Sequence, residues 1–367
     1  MKEQKIVFFL GAGASNSDGS LLQNELLNYY FTKLSPFYLG ESHSQKFNDF
    51  FDEHFNREEP LPTLEEIFGL IYFFQKIKLT NNPEKYQELD GTVALILARM
   101  LEYKLKSVRG TSHEILLKKL DSLNLIKKTS FISTNYDILV DNKMRNEHYS
   151  IDYGIPIVKD TDMKEGERGR LKLIKLHGSL NWAKCSKCSS VKVFPDKVLS
   201  SVEFLRDPCQ RKEPCKGSYN KIFLIPPTYF KEFKAHKLKT LIRSSINVLT
   251  NTTHIFFCGY SFPDMDMHVK YLLKQSMINS KNIPEIMIIN IPNDKIKGIR
   301  NDKLKLPEHA NFIDEANRYR RFFKDTKKVH YKNLSFEMLP VYLKEIIINE
   351  NVSFKDLSIR EEELITH

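Results

Sequence analysis

The 367-residue chain lacks the features of a membrane, secreted or repeat protein. No stretch approaches the roughly 18 uncharged apolar residues that a bilayer span requires, so we expect no contact with a membrane. The first apolar stretch, 6–10, is too short for a signal peptide and is predicted to be a buried strand. Only 5 cysteines are present, which without an export signal favours a reducing, cytoplasmic compartment. The sequence has no internal repeat and no low-complexity tract.

The composition is that of a soluble globular protein with a surplus of basic residues. Apolar residues make up 41% and charged residues 28% of the chain, which is long enough for one large or two modest cores. The net charge of +10 would suit a polyanion such as nucleic acid. However, the 56 basic residues are scattered among 46 acidic ones, so we interpret most of them as a solvated surface.

The densest basic and aromatic segment is 318–328, which contains Arg-Tyr-Arg-Arg-Phe-Phe-Lys followed by two further lysines. Such a segment can follow a phosphate backbone and stack on bases. A solvated helix face or a subunit contact is the alternative. We expect nucleic acid to be contacted only through this segment or through a partner protein.

Three apolar stretches end in glycine or polar residues. The first ends at Leu10 and runs into the glycine turn 11–15, while two later stretches end shortly before Asn135 and at Leu176, next to His177. A glycine turn between a strand and a helix presents backbone N–H groups that suit a pyrophosphate. Polar residues at the carboxyl ends of parallel strands meet in one crevice. The pattern predicts an α/β fold with a cofactor site.

In this order the motifs resemble those of the sirtuin-like family. The family is marked by a GAGxS turn, an N-x-D motif, an H-G motif, a later G-x-S turn and a strand that ends in Asn. In this sequence these are 11–15, 135–137, 177–178, 259–261 and Asn290. The resemblance covers residues 5–30 and 112–295, and it implies a Rossmann-like parallel sheet.

The resemblance implies that NAD+ is the substrate. Asn135 would orient the attacking water and the ribose, and His177 would act as a general base, since an imidazole with an ordinary pKa of about 6.5 accepts a proton near neutral pH. Asp137 would receive the nicotinamide amide. The other residues implied to bind NAD+ are Gly11, Ala12, Gly13 and Ser15 at the diphosphate, Thr134 beside Asn135, and Gly259, Ser261 and Asn290 at a phosphate and the adenosine ribose.

Four cysteines form two pairs, Cys185 with Cys188 and Cys209 with Cys215. Two short thiolate pairs can fold onto one tetrahedral zinc ion, and four sulfur ligands leave no open position, so the ion would be structural. The looser second pair is tolerated in the zinc ribbon of the sirtuin-like family. The alternative is a set of free surface thiols. Cys258, in an apolar stretch, is interpreted as a buried small hydrophobe.

The remaining segments complete a predicted domain organisation. Thr63 and Glu66 form a capping box that begins a helix. Phe68, Tyr72, Phe73 and Phe74 are interpreted as core or oligomer contacts rather than as a pocket lining. Asp264 and Asp266 are interpreted as an N-cap pair.

The predicted units are a Rossmann-like core (1–30 and 112–300), a helical insertion (31–111), a zinc-ribbon module within the core (183–222) and a C-terminal extension (301–367).

The chain departs from the protein-deacylating sirtuins at three motifs. Their G-I-P-D-F-R stretch is absent at 17–22, the Gln before their Asn is replaced by Thr134, and their F-G-E motif is absent at 224–231. These departures resemble the bacterial sirtuin-like branch of antiphage defence, whose members hydrolyse NAD+ to nicotinamide and ADP-ribose. We therefore expect an NAD+ hydrolase. An NAD-dependent protein deacylase and a non-catalytic NAD- or ADP-ribose-binding scaffold are the alternatives.

The resemblance also implies partner proteins. Several members of the defence branch work beside a ring-forming, HerA-like helicase-type ATPase or an Argonaute. No sensor or helicase domain is visible in this sequence, so we expect a separate activator, together with a homo-oligomeric assembly.

Overall fold

The structure, a computed structural model, describes residues 4–33, 41–77, 83–86, 89–105, 111–158, 166–195, 198–199, 207–209, 215–225, 236–291, 309–324 and 326–348. Among these residues, no helix combines the length and the apolar character that crossing a membrane demands. The predicted motif residues all lie within the described ranges, whereas most of the segment 224–231 lies outside them.

A parallel seven-stranded sheet forms the centre of the described structure. Its strands are β1 (Ile6–Leu10), β2 (Thr129–Ser133), β3 (Ser150–Asp152), β5 (Arg170–Lys175), β9 (His254–Cys258), β10 (Glu285–Asn290) and β11 (Val329–Asn333). Their order in the sheet is β11-β10-β9-β1-β2-β5-β3. Strands β2, β5 and β3 lie on one side of β1, and β9, β10 and β11 lie on the other. The topological switch point of the sheet therefore lies beside β1. The predicted Rossmann-like α/β fold is confirmed.

The apolar character of β1 explains its central place in the sheet. Each of its five residues is buried, as expected for a parallel strand with both faces covered. The ring of Phe8 stacks between Phe131 of β2 and Phe256 of β9, with centroid distances of 5.7 and 4.9 Å. Aromatic contacts across three strands therefore bind the centre of the sheet together.

Helices follow or precede most of these strands. They are α1 (Ala12–Asn16), α2 (Leu26–Lys33), α3 (Glu41–His54), α4 (Leu64–Ile77), α5 (Leu89–Leu105), α6 (Thr111–Ser122), α7 (Leu139–Asn146), α8 (His236–Thr250), α9 (Met267–Asn279), α10 (His309–Phe322) and α11 (Leu339–Ile348). Helix α6 packs on both α7 and α11, and α8 packs on α9. Residues from both groups contribute to the apolar core of the main sheet.

Helices α2 to α5 form a helical unit with an apolar core of its own. Phe47, Phe51, Ile67 and Leu97 are buried in this core, which also includes Leu180 of the second sheet. Helices α3 to α5 of this unit fall within the predicted insertion (31–111), whereas α2 begins before it. At the start of α4, Thr63 and Glu66 form the predicted capping box: the Thr63 N–H donates to Glu66 Oε2 at 2.6 Å, and the Glu66 N–H donates to Thr63 Oγ1 at 3.2 Å.

The predicted aromatic cluster of α4 divides between core and surface. Phe68 is buried in the helical core, and Phe74 stacks on Tyr86 with a centroid distance of 4.2 Å. Phe73 is 39% exposed. None of these three aromatic residues lines the cleft described below.

A second, four-stranded sheet has the order β4-β7-β6-β8. Its strands are β4 (Ile157–Val158), β6 (Gly178–Cys185), β7 (Val191–Val193) and β8 (Tyr219–Leu224). The sequence suggests a hairpin or loop insertion at 145–170, but β3 and β4 do not pair with each other. Instead, β3 is an edge strand of the main sheet and pairs with β5, and β4 is an edge strand of the second sheet and pairs with β7.

The C-terminal part of the chain adds a strand and two helices to the core. The sequence pattern at 334–348 predicts a strand followed by a helix. In the structure the strand is β11, which lies earlier and pairs in parallel with β10. In the basic segment 318–328, Tyr319 and Phe323 are buried and pack against Phe257. These two rings are therefore not exposed for stacking on bases.

The single helix predicted after the glycine turn is divided into α1 and α2. A turn at 17–20 separates them because Asp18 points inward to the start of α6. Its carboxylate accepts hydrogen bonds from the Ser112 N–H at 2.8 Å and from His113 Nδ1 at 2.5 Å. Burial alone would raise the pKa of Asp18, but the hydrogen bonds from His113 and Ser112 outweigh it and lower the pKa from 3.8 to about 2.

We expect Asp18→Asn to lower the free energy of unfolding by roughly 2 kcal/mol at neutral pH. Because the pKa of Asp18 is lower in the folded state, this stabilisation is present above pH 3.8 and is lost as the pH falls toward 2. Urea unfolding between pH 2 and 7 measures the difference. The control is Asp52→Asn, which removes an exposed ion pair with Arg57 and should cost less than about 1 kcal/mol. Equal losses in both variants would contradict the prediction.

Candidate functional site

The glycine turn packs directly against the end of β9. The Gly11 N–H donates to Cys258 O, and the Gly13 N–H donates to Gly259 O, each at 2.9 Å. A Cβ at Gly13 would lie 2.7 Å from Gly259 Cα, and one at Gly11 would lie 2.4 Å from Gly259 O. Gly259 itself has a φ of +59°. Glycine is therefore required here by the close contact of two turns.

This contact changes the expected role of the turn. The N–H groups of Gly11 and Gly13 are occupied by the backbone of β9 and the turn after it, so in this arrangement they do not offer hydrogen bonds to a diphosphate. Ala12 and Ser15, by contrast, line the adjacent cleft. Among the residues of the turn, these two are the ones placed to meet a ligand.

A cleft lies at the carboxyl ends of β1, β2 and β9, beside the switch point. One wall is apolar and includes Leu26, Leu64, Leu97 and Leu101 of the helical unit. The other wall contains most of the predicted site residues. Those that line the cleft are Ala12, Ser15, Thr134, Asn135, Asp137, His177, Gly259 and Ser261.

Asn135 is held against the glycine turn. Its Nδ2 donates to Gly11 O and to Ser15 Oγ, each at 2.8 Å, and its N–H donates to Ser133 Oγ at 3.0 Å. Both side-chain hydrogen bonds use the amide nitrogen. Asn135 would therefore orient a ligand through Oδ1. Asn135 therefore connects the end of β2 to the glycine turn at the end of β1.

The loop that carries Asp137 is fixed by a buried ion pair. Lys175 Nζ donates to Asp137 O and lies 3.0 Å from Asp141 Oδ2, and both charged side chains of the pair are fully buried. Asp141 Oδ1 also accepts a hydrogen bond from the Tyr153 hydroxyl at 2.7 Å. The Asp137 carboxylate itself accepts from the Leu139 N–H at 3.0 Å. Lys175 was not among the predicted site residues, although a lysine at the end of an apolar strand is a recognisable signal.

His177 lies in the two-residue turn that joins the main sheet to the second sheet. Its carbonyl oxygen accepts a hydrogen bond from the Ile225 N–H at 2.8 Å, and the next residue, Gly178, has a φ of +78°. A Cβ at Gly178 would lie 2.1 Å from Phe223 O, so the sharp turn needs glycine. The His177 side chain is 6% exposed and lines the cleft.

Two residues next to His177 were missed or misinterpreted. His177 Nε2 lies 3.0 Å from His268 Nε2 and 3.5 Å from Asp266 Oδ1. Asp266 occupies the N-cap position of α9, but its side chain makes no capping hydrogen bond, so the predicted N-cap role of its carboxylate is wrong. Instead, Asp266 Oδ2 accepts from the Tyr260 hydroxyl at 2.8 Å. Asp264 forms an ion pair with Lys270 at 2.6 Å.

Asn290 lies apart from the cleft. It ends β10, and its Nδ2 donates to Glu315 Oε1 of α10 at 2.5 Å. Burial raises the pKa of Glu315. The structure therefore brings most of the predicted NAD+-binding residues together in one cleft. The N–H groups of Gly11 and Gly13 are hydrogen-bonded outside the cleft, and Asn290 is bonded to α10.

The four predicted cysteines form one cluster at the end of β6 and in the segments between β6 and β8. The sulfur of Cys185 lies 3.8 Å from that of Cys215, and the sulfur of Cys188 lies 3.6 Å from that of Cys209. All four sulfurs lie within 4.8 Å of one another. A tetrahedral zinc ion with Zn–S bonds of about 2.3 Å separates its sulfur ligands by about 3.8 Å. The cluster could therefore hold zinc.

We expect Lys175→Met to destabilise the fold by about 3–5 kcal/mol, because it removes the cation that is paired with the buried Asp141 carboxylate. Lys172→Met is the matched control on the same strand, since Lys172 is partly exposed and 3.4 Å from Asp152; its loss should stay below about 1 kcal/mol. Chemical denaturation of both variants measures the difference. A Lys175→Met protein as stable as the control would contradict the assigned role of the buried pair.

One family model and several solved structures are similar to this chain. A family model described as a SIR2-like domain matches residues 129–313. Among solved structures, Sir2Tm bound to a propionylated peptide has 13% identity and a TM-score of 0.41, covering 94% of each chain. A Sir2–p53 peptide–NAD+ complex has the same identity, coverage and TM-score. A Sir2 complex with the inhibitor EX-527, 2'-O-acetyl-ADP-ribose and a deacetylated p53 peptide has 13% identity and a TM-score of 0.39, covering 93% of each chain.

No curated protein matches the chain. The matched SIR2-like region spans half of the 367 residues and includes the strands that carry Asn135, His177 and Gly259. This match supports NAD-dependent, sirtuin-like activity. The chain belongs to the SIR2-like domain family.

Proposed function

We propose that this protein is an NAD+ hydrolase, which cleaves the bond between nicotinamide and ribose to give nicotinamide and ADP-ribose. The observation that carries the proposal is that Asn135 and His177, far apart in sequence, line one cleft at the switch point of the sheet. Membership of the SIR2-like family supports NAD+ as the ligand.

The two walls of the cleft suit different parts of NAD+. Ser15 and Ser261 offer hydroxyl groups and Ala12 offers backbone close to the cleft, which suits the diphosphate and the riboses. The Gly259 N–H donates to Ile289 O and the Gly259 carbonyl accepts from the Gly13 N–H, so Gly259 would give the ligand room rather than hydrogen bonds. The leucines of the helical unit suit the flat nicotinamide ring. We assign Thr134 and Asp137, beside Asn135, to the nicotinamide side.

The proposed reaction is a displacement at the ribose carbon C1′. Water forms the new bond to C1′, the bond to nicotinamide breaks, and the electron pair leaves with the ring nitrogen. Asn135 Oδ1 would orient the water and the ribose. His177 would take up the proton that is released, directly or through a ribose hydroxyl, and would return it to solvent.

The biological setting is a separate part of the proposal and rests on the sequence resemblance. We propose that NAD+ depletion serves antiphage defence. A HerA-like ATPase or an Argonaute would activate a homo-oligomer of this chain. The protein deacylase and the non-catalytic scaffold are the competing functions, and a turnover assay separates all three.

We expect the purified protein, alone or with its activator, to release nicotinamide from NAD+ without any acylated peptide. Asn135→Ala and His177→Ala should each lower this rate at least about 100-fold, because orientation of the water and proton transfer are lost. Exposed Asn279→Ala and partly exposed His330→Ala are matched controls and should retain full activity. Chromatographic detection of nicotinamide and ADP-ribose measures the rate, and melting curves verify folding.

Two outcomes of this assay would contradict the proposal. Release of nicotinamide only when an acylated peptide is present would identify a deacylase. Binding of NAD+ without turnover, with or without the activator, would identify a scaffold.

We also propose that the cysteine cluster binds one structural zinc ion. The sulfur separations of 3.6 and 3.8 Å carry this proposal, and Ala183, Phe194 and Tyr219 pack around the cluster. Zinc would join the loop after β6 to the segments before β8. It would not act on NAD+, because four thiolates fill its coordination sphere.

We expect about one zinc ion per chain in the purified protein. Cys188→Ser should reduce the zinc content to near zero and lower the melting temperature, because one thiolate ligand is lost. Cys258→Ala, in buried strand β9, is the control and should retain the ion. Elemental analysis by mass spectrometry measures the content, and zinc retained by Cys188→Ser would overturn the proposal.

A further inference from the structure

A cluster of two imidazoles and one carboxylate joins the cleft to the first turn of α9. It consists of His177, Asp266 and His268, which we name the His–Asp–His cluster. Building on the proposed function, we infer that Asp266 and His268 are positioning residues that fix the orientation of the His177 imidazole and stabilise its protonated form.

The contacts of the cluster converge on one atom of His177. Its Nε2 faces both His268 Nε2 at 3.0 Å and Asp266 Oδ1 at 3.5 Å. The same Asp266 oxygen lies 4.0 Å from His268 Nδ1. One imidazole donates an N–H to the other, and the carboxylate sits beside both rings. This arrangement selects one ring orientation and favours a proton on the side of the imidazole that faces the cluster.

Asp266 is itself held in place from outside the cluster. Its Oδ2 accepts a hydrogen bond from the Tyr260 hydroxyl at 2.8 Å, and the carbonyl oxygen of Tyr260 accepts one from the Tyr319 hydroxyl of α10 at 2.5 Å. The side chain of Asp266 is 7% exposed, and that of His268 is fully buried. Rotation of the carboxylate would break the bond to Tyr260, so Oδ1 stays directed toward the imidazoles.

The burial of Asp266 gives the cluster an electrostatic role. A carboxylate removed from water is costly unless a nearby cation or hydrogen-bond donor compensates it. When His177 accepts a proton during turnover, the imidazolium and Asp266 form an ion pair in this buried setting. The carboxylate therefore lowers the free energy of the step in which His177 becomes charged.

Other titratable groups near His177 do not replace this carboxylate. The Tyr136 ring lies 6.0 Å from the His177 ring, and Asp137 lines the same cleft from the loop after β2. Lys175, two residues before His177, is paired with Asp141. On the side of α9 the facing groups are Asp266 and His268, and their distances to Nε2 are the shortest in this set.

The test compares Asp266→Asn with Asp264→Asn. Asp264 belongs to the same loop, but its side chain is 75% exposed and bonded to Lys270, so it provides a matched control. We expect Asp266→Asn to lower kcat about 10- to 100-fold with a smaller effect on KM, because proton transfer is impaired more than binding. The acidic limb of the pH profile should move to lower pH, since loss of the carboxylate makes imidazolium less stable. Asp264→Asn should match the wild-type protein.

His268 is tested by two substitutions that differ in hydrogen bonding. His268→Ala should lower kcat by a similar factor, whereas His268→Gln, which retains a donor and an acceptor, should recover part of the loss. Melting curves verify that each variant is folded. Equal activity of the Ala and Gln variants, or an unchanged pH profile in Asp266→Asn, would overturn the inference.

A second readout does not depend on NAD+ turnover. Ring-nitrogen NMR of histidine-labelled protein, with the His177 signal assigned from a His177→Gln variant, follows protonation of this residue directly. We expect His177 to titrate at lower pH in Asp266→Asn than in the wild-type protein. Lack of turnover in the wild-type protein would contradict the proposed function alone. An unchanged His177 titration, or a metal ion bound by the three side chains, would contradict the inference about the cluster.

Discussion

The close contact between two glycine turns is the constraint on which the site depends. Gly11 and Gly13 at the end of β1 lie against Gly259 at the end of β9, with no room for a Cβ between them. Because Asn135 donates to Gly11 O, the same contact determines where the carboxamide lies. The cleft opens beside this contact, at the topological switch point of the sheet. Any residue larger than glycine would separate the strands whose ends form the polar wall.

Two pairs of buried side chains near the cleft have different roles. Lys175 and Asp141 lie inside the fold and fix the backbone of the loop that follows Asn135. Asp266 and His268 lie beside the cleft and contact His177 directly. The first pair supports the shape of the site, whereas the second pair can change the protonation of His177. The apolar wall is supplied by a helical unit with its own core, so the cleft is formed between two cores of the same chain.

Much of the fold could be predicted because the buried parallel strands are continuous apolar stretches. β1, β2, β5, β9 and β10 each carry this signal, and the residues that follow the first four of these strands line the cleft. The four cysteines were predicted to form one site from the spacing of the first pair together with the family resemblance, and the structure brings their sulfurs together. The short strands β3 and β4 have no such signal, since their pairing is decided by sheet edges far away in sequence.

The residues that escaped prediction are polar groups whose partners lie far away in sequence. Asp266 follows Pro263 in a pattern typical of an N-cap, and only the fold shows that its carboxylate turns toward His177 instead. Tyr319 resembled a surface aromatic among arginines, yet it is buried and bonded to Tyr260 O. Asp18 lies in the turn at 17–20, and its partners are at the start of α6.

The most direct test of the central claim is a crystal structure of the His177→Gln variant with NAD+. We expect the nicotinamide ribose to lie between Asn135 and residue 177, with the nicotinamide ring against the leucine wall and the diphosphate beside Ser15 and Ser261. NAD+ bound elsewhere on the protein, or a cleft closed by packed side chains in the crystal, would contradict the assignment of this cleft as the site of NAD+ cleavage.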